Sequence, residues 1–81
     1  MKKVLVVMLD RKAGFGDPSA QINDEIAIRQ FGYAVNNSQI PNYAPADFEL
    51  YKIGEYDDAN ASIEMFDKPI MIASGLEMIG K

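Results

Sequence analysis

The sequence of 81 residues contains neither cysteine nor histidine. These absences exclude disulfides, thiolate zinc sites, cysteine or histidine nucleophiles, and the imidazole that usually carries protons near neutral pH. Among metal sites, only carboxylate-rich sites for hard cations remain. A domain this small buries only about 60–65 % of its unfolded surface, and such domains often gain stability from disulfides, a metal or a partner subunit. We therefore expect a homo-oligomer, in the simplest case a homodimer.

Long hydrophobic runs are also missing. The longest apolar run, residues 4–9, is far shorter than the roughly 18 residues of a membrane span. It follows two lysines, as in a signal peptide, but it lacks a small-residue cleavage site and is followed by Asp10, Arg11 and Lys12. The run is better explained as a first strand, and the sequence predicts a soluble, intracellular protein with no membrane partner.

Positive charge is in deficit. The chain has 8 lysines and arginines against 12 aspartates and glutamates, a net charge of −4. A dedicated nucleic-acid binder usually has a basic surplus, because neutralising phosphates and releasing counterions drives most of its affinity. The composition therefore excludes a long basic arm but permits a local basic patch.

Hydrophobic patterning predicts a single α+β domain over residues 1–81. The valine-rich run predicts a buried central strand at about residues 3–10. Helical periodicity predicts a helix at about 23–36, and alternation with turn residues predicts strands at about 47–57, 61–66 and 69–74. The order β-α-β-β-β predicts a mainly antiparallel sheet of about four strands, with the helix packed on one face. Pro69 places the last strand at a sheet edge or at a strand terminus.

The predicted helix begins after Asn23, whose side chain can cap it. On its outer face, Glu25 and Arg29 are spaced for an ion pair one turn apart. Gly32 falls on the same outer face and costs about 1 kcal/mol relative to alanine. It either permits close approach to the sheet or to a partner or is simply tolerated, and we favour the second interpretation. The core-facing positions are Ala27, Ile28, Phe31, Ala34 and Val35.

Two segments are predicted to be loops. "DRKAGFGDPS", residues 10–19, is punctuated by glycine and proline, and it matches neither the Walker nor the dinucleotide phosphate-binding pattern. In residues 38–47, Pro41 and Pro45 force extended backbone before them. Beyond this loop, regular alternation places Phe48, Leu50, Lys52, Gly54 and Tyr56 on one face of a strand and Glu49, Tyr51, Ile53 and Glu55 on the other.

The acidic stretch "ELYKIGEYDDANASIE", residues 49–64, has the composition of a calcium loop but not its spacing. A loop of the EF-hand type needs acidic or amide side chains at positions 3 and 5, glycine at 6 and glutamate at 12. Counted from Asp57, positions 3 and 5 are alanines; counted from Asp58, position 6 is Ile63 and position 12 is Pro69. The carboxylates fit the solvated face and turn of a hairpin, so we predict no metal site, no catalytic residue and no cofactor.

Binding of single-stranded nucleic acid needs aromatic side chains beside cations. Arg11 and Lys12 lie close to Phe15 in the sequence, whereas Tyr51 and Lys52 are adjacent and so point to opposite faces of a regular strand. Arg29 is either an anion anchor or the partner of Glu25. The aromatic side chains available for such a platform are Phe15, Tyr33, Tyr43, Tyr51 and Tyr56.

The order of motifs resembles the small non-structural protein of gokushovirus-type microviruses, which are single-stranded DNA phages related to the Chlamydia phages. Three ordered pieces, between about residues 10 and 75, carry this resemblance. The matching positions are Asp10, Lys12 and Ala13; Ala27, Ile28, Arg29, Phe31, Ala34, Val35 and Asn36; and Pro45, Asp47, Phe48, Leu50, Tyr51, Ile53, Gly54 and Asp57.

The chain departs from that family in one turn. Family members commonly carry glycine after the acidic residue, where this chain has Ala59, Asn60 and Ala61. We therefore expect Asn60 to occupy the left-handed backbone region, since asparagine tolerates it.

The resemblance implies a phage protein that is made in the host bacterial cytoplasm and is absent from the mature virion. It implies a non-enzymatic accessory protein, described as DNA-binding, that acts in single-stranded genome synthesis or packaging together with phage or host proteins. The alternative is an acidic adaptor that recruits replication or host factors without contacting DNA. If DNA is bound, the contact candidates are Arg11, Lys12 and Arg29.

Overall fold

The computed structural model describes residues 1–37 and 44–78, and the predicted α+β fold is confirmed. A single antiparallel sheet is ordered β2-β1-β4-β5, and a further short strand, β3, pairs with the other end of β1. The elements in chain order are β1 (Lys2–Asp10), β2 (Gly14–Phe15), β3 (Ser19–Gln21), α1 (Asp24–Asn37), a 3-10 turn (Pro45–Asp47), β4 (Phe48–Asp57), β5 (Ser62–Ser74) and α2 (Gly75–Met78).

The hydrophobic core lies between α1 and one face of the sheet. Valines of β1 alternate toward the helix, because successive side chains of a strand point to opposite faces. The buried members of this core are Val4, Val6, Ala27, Phe31, Val35, Leu50 and Ala73. No helix among the described residues is long and apolar enough to cross a membrane.

Helix α1 is capped as predicted, since the Asn23 side chain accepts a hydrogen bond from the backbone N–H of Ile26 at 2.9 Å. Two predictions about its faces were wrong. Ala34 is exposed rather than in the core. Gly32 is buried, because Met78 of α2 packs over it and would lie 3.2 Å from an added Cβ. The glycine therefore serves a close approach, which is the alternative that we did not favour, and the contact is with α2.

The loop predicted at residues 10–19 was partly wrong. The chain turns back on β1 within it, so that Leu9 pairs with Phe15 and Val6 with Ser19. Two strands of two and three residues result, which are too short to produce an alternating pattern. In the second predicted loop, Pro45 begins the 3-10 turn, whereas Pro41 and the other residues from 38 to 43 lie outside the described residues.

Strand β5 replaces the two strands predicted at 61–66 and 69–74. The chain stays extended through Pro69, but four residues, 66–69, stand opposite the single residue Ile53 of β4. The signals that we interpreted as a break thus mark an irregularity in pairing within one strand. Strand β5 lies at the edge of the sheet, where a proline is tolerated.

Strand β4 contains a bulge that reverses its alternation. Val6 of β1 pairs with Lys52, but the preceding residue, Leu5, pairs with Gly54, so Ile53 has no partner on β1. The predicted facing of β4 is therefore correct up to Lys52 and wrong beyond it. Tyr56 shares a face with Tyr51, not with Lys52.

The turn between β4 and β5 also differs from its prediction. Ala61, not Asn60, has the left-handed backbone, with a φ of 60°. The Asn60 side chain instead accepts a hydrogen bond from the backbone N–H of Ser62 at 3.0 Å. Asparagine here closes the turn with its side chain, so the next residue takes the strained conformation.

Candidate functional site

The sheet face opposite α1, called the open face here, carries apolar and aromatic side chains although both helices pack elsewhere. Directly opposed residues of antiparallel strands share a face, so the pairing register assigns this face strand by strand. Its members are Lys3, Leu5, Val7 and Leu9 of β1; Phe15 of β2; Ala20 of β3; Glu49, Tyr51, Gly54 and Tyr56 of β4; and Ile63, Met65, Met71 and Ser74 of β5.

Phe15 and Tyr51 form an aromatic pair at one end of the open face, which we call the aromatic end. Their ring centroids are 5.8 Å apart and the ring planes meet at 72°, an edge-to-face contact. Phe15 is 58 % exposed. The pair therefore presents a ring to solvent while its partner fixes the ring's orientation.

An ion pair lies beside this aromatic contact. Nη2 of Arg11 donates hydrogen bonds to both carboxylate oxygens of Glu49, at 2.9 and 2.8 Å, and the Tyr51 hydroxyl donates to the same carboxylate at 3.0 Å. Glu49 is only 8 % exposed. These bonds lower the pKa of Glu49, the hydrogen bonds from Arg11 most strongly, although partial burial opposes the shift. The hydrogen bond between Tyr51 and Glu49 raises the pKa of the Tyr51 hydroxyl.

The cations near the open face are largely neutralised by carboxylates. Lys12 Nζ lies 3.3 Å from Asp47 and Lys3 Nζ lies 3.8 Å from Asp58. Lys12 nevertheless has a side chain that is 71 % exposed, and such surface ion pairs are weak. Lys52 points to the face opposite Tyr51, as predicted; this is the helix side, where its Nζ lies 3.2 Å from Asp24 of α1.

The structure brings two of the three predicted contact residues together and separates the third. Arg11 and Lys12 follow β1 directly and lie beside the aromatic end. Arg29 lies on the exposed side of α1, across the sheet, and forms no ion pair with Glu25 or with any other residue that the structure describes. It lines a separate surface groove with Tyr33, and one flat ligand cannot touch both places.

Sequence reasoning missed the central role of Glu49, which we had assigned to a solvated hairpin face. A signal was present, because Glu49 and Tyr51 alternate onto one face of β4 and Arg11 stands just after β1. Using it requires knowing that β1 pairs with β4, a contact between distant parts of the chain. Of the other aromatic candidates, Tyr56 joins the open face, Tyr33 lies on α1, and Tyr43 lies outside the described residues.

The described residues contain no group of three or more acidic side chains placed to hold a metal ion. Chemically, the aromatic end offers a ring for stacking, a guanidinium with one nitrogen engaged, and an exposed ammonium. These groups suit recognition of a flat, anionic ligand.

Comparison with known proteins identifies the family of this chain. A family model described as Phage ORF5 protein matches residues 3–78, which is nearly the whole chain. No curated protein matches, and no solved structure matches. The chain therefore belongs to the Phage ORF5 protein family.

Proposed function

We propose that this phage protein is a non-enzymatic accessory factor that binds single-stranded DNA through the aromatic end of its open face. The observation that carries the proposal is the exposed Phe15 ring, held edge-to-face by Tyr51 with Arg11 and Lys12 beside it. Single-strand binders of this kind combine stacking rings with cations that follow the phosphates. The resemblance to gokushovirus proteins supports the same function, in viral genome synthesis or packaging in the host cytoplasm.

In this proposal a base stacks on Phe15 and the neighbouring phosphates contact Lys12 and Arg11. Arg11 engages the described residues through only one of its guanidinium nitrogens, so its other donors suit a phosphate. Glu49 holds the guanidinium in place but also offsets its charge. We therefore expect modest affinity with a shallow salt dependence, a slope of roughly −1 to −2 in log K against log salt for two phosphate contacts.

The test is binding of a fluorescently labelled single-stranded oligonucleotide across a salt series. Phe15→Ala should weaken binding by roughly 5- to 150-fold, since stacking of one base contributes about 1–3 kcal/mol. Tyr33→Ala is the matched control, because it removes an exposed ring on the other side of the sheet. Lys12→Gln should reduce the salt slope by about 0.7, whereas Arg29→Gln should leave it unchanged.

Two outcomes would contradict the proposal. One is the absence of binding at low salt by protein that circular dichroism shows to be folded. The other is an equal loss of binding in Phe15→Ala and Tyr33→Ala, which would place the contact elsewhere or make it nonspecific.

A protein–protein adaptor is the second candidate function, and a specific observation favours it. Apart from Lys3, Tyr56 and Ser74, the rest of the open face is apolar, with Ile63, Met65 and Met71 each at least half exposed. The cations nearby are paired with carboxylates. In that case the protein recruits phage or host replication or packaging proteins and the oligonucleotide does not bind. The same titration therefore separates the two functions.

A further inference from the structure

A cleft lies on the helix side of the sheet, between α1 and the short strand β3. It has a volume of about 170 Å³. Its floor is apolar and belongs to the core, with Val6 and Leu50 from the sheet and Phe31 from α1, each 4 % exposed. The space above this floor is open because two lining residues, Ala27 and Ser19, have short side chains. The cleft is therefore a recess that reaches the hydrophobic core from the surface.

The rim of the cleft is polar, and two of its side chains have no partner. Asp17, between β2 and β3, and Gln30 of α1 form no side-chain hydrogen bond or ion pair with any residue that the structure describes. Gln21, by contrast, donates a hydrogen bond to the Ser19 hydroxyl at 3.2 Å. A carboxylate only accepts hydrogen bonds, whereas an amide side chain both donates and accepts. The rim therefore offers a ligand an acceptor from the sheet side and a donor from the helix.

The size of the cleft suits a ligand with a single ring. An enclosed apolar cavity of about 150 Å³ accommodates benzene, and this cleft is only slightly larger. Drug-sized ligands occupy pockets of about 300–1,000 Å³. One planar ring therefore fills the space, and the polar atoms at its edge meet the rim.

We infer that this cleft binds a cytosine base. The hydrogen-bonding edge of cytosine carries an amino group beside acceptor atoms, and aspartate is one of the side chains that accept from this amino group. Asp17 accepts from the amino group, Gln30 donates to a neighbouring acceptor, and the ring packs on the apolar floor. Thymine has a carbonyl oxygen in place of the amino group. The Asp17 carboxylate repels that oxygen, so the cleft discriminates against thymine.

The cleft is separate from the aromatic end. Phe15 lies on the open face, whereas Ser19 pairs with Val6 on the helix side. The two places are neighbours around the edge of the sheet, because Asp17 follows Phe15 by two residues. The inference does not depend on the proposed function, since a free nucleoside can occupy the cleft. If the proposed function also holds, a strand that stacks one base on Phe15 can place a nearby cytosine in the cleft.

The experiment is a titration of the wild-type protein with deoxycytidine, followed through the methyl signals in NMR spectra. Deoxycytidine has no phosphate, so it tests the cleft without the cations of the aromatic end. We expect the methyl signals of Val6, Ala27 and Leu50 to shift with a dissociation constant on the order of 1 mM, since a single ring binds weakly. The methyl signals of Val7, on the open face, should stay constant. Thymidine should bind about 5- to 150-fold more weakly.

Three variants test the assignment of the rim. Asp17→Asn should remove the preference for deoxycytidine, because an amide can donate to thymine as well as accept from cytosine. Asp67→Asn is the matched control and should keep the preference, since it removes an exposed carboxylate on β5, which β1 and β4 separate from β3. Ser19→Leu, at an exposed position on the rim, should fill the cleft and abolish the shifts while the remaining signals stay those of folded protein.

A second titration identifies the source of the base. A thymidine oligonucleotide that carries one cytosine is compared with an all-thymidine strand of the same length. Shifts of the cleft methyl signals with the first strand alone support a base of a DNA strand, and shifts with deoxycytidine but neither strand support a free nucleoside. The inference is overturned if deoxycytidine shifts none of these signals, or if thymidine or the all-thymidine strand shifts them equally. Equal loss of preference in Asp17→Asn and Asp67→Asn also overturns it.

Discussion

Arg11 and Glu49, 38 residues apart in the chain, meet through two hydrogen bonds from a single guanidinium nitrogen. This contact joins the end of β1 to the start of β4. It also holds a nearly buried carboxylate in its ionised form next to the aromatic pair. The stability of the fold and the geometry of the aromatic end therefore depend on the same carboxylate.

The first prediction concerns pH. Glu49 has a folded pKa below its ordinary value of 4.5, so its ionised form stabilises the fold above that pH, and the contribution is lost as pH falls through the folded pKa. Glu49→Gln should be less stable than the wild type at pH 7, and the difference should shrink toward pH 3. Urea denaturation at several pH values measures it, with Glu64→Gln on the exposed edge strand as control. If the free energies of unfolding of the wild type and Glu49→Gln stay equally far apart down to pH 3, the lowered pKa of Glu49 is contradicted.

Gly54 provides the second prediction. A Cβ at this position would collide with the backbone carbonyl of Glu64 on the neighbouring strand. Gly54→Ala should therefore destabilise the protein by about 1–3 kcal/mol, the usual cost of forced overpacking. Gly16→Ala is the control, since its Cβ would make an ordinary contact, 3.6 Å from the Met8 carbonyl oxygen. Equal stability of the two variants in chemical denaturation would contradict the close approach of β4 and β5.

The third prediction concerns the left-handed backbone of Ala61. A residue with a side chain loses roughly 1–2 kcal/mol in this region, and the larger entropy loss of glycine on folding offsets part of the gain from replacing it. Ala61→Gly should thus raise the free energy of unfolding by about 0.5 kcal/mol. Ala59→Gly, in the same turn at a position without positive φ, should lower it slightly. Chemical denaturation measures both, and the prediction fails if the two changes act in the same direction.

The fourth prediction tests which side of α1 meets the sheet. Phe31 is 4 % exposed and lies in the core, whereas Tyr33, two residues later, is 72 % exposed. Phe31→Ala should lower the free energy of unfolding by about 3–5 kcal/mol. Tyr33→Ala should change it by no more than about 0.5 kcal/mol. Urea denaturation of both variants provides the comparison, and similar costs for both would mean that the helix is rotated.

The sequence predicted the elements whose signals are local. The valine run of β1, the Asn23 cap and the alternation from Phe48 to Lys52 each depend on neighbouring residues, and the structure agrees with them. The short strands β2 and β3 escaped prediction because two or three residues show no period. They form because the backbone at the edge of β1 provides hydrogen-bond partners for them.

The candidate site was harder to predict because one unpaired residue reverses the facing of every later residue in its strand. The bulge at Ile53 acts in this way on β4, and it brings Tyr56 onto the same side as Tyr51. Gly54, next to the extra position, is a residue that often marks a bulge within a strand, but the alternating pattern was extended through it. Arg11 and Lys12 were placed near Phe15 by proximity in the sequence, but their partners Glu49 and Asp47 come from a distant segment.

The irregular pairing in β5 determines what kind of assembly the sheet permits. An exposed edge strand of 13 residues would ordinarily offer its backbone to further strands from other molecules. Residues 66–69 interrupt the pairing of this edge strand, Pro69 has no N–H to donate, and Ile72 forms a second irregularity. The regularly paired stretches are therefore only residues 62–65, 70–71 and 73–74. Growth of a continuous intermolecular sheet is thereby blocked. Fibre growth by strand addition at this edge is therefore disfavoured even at high concentrations of the chain.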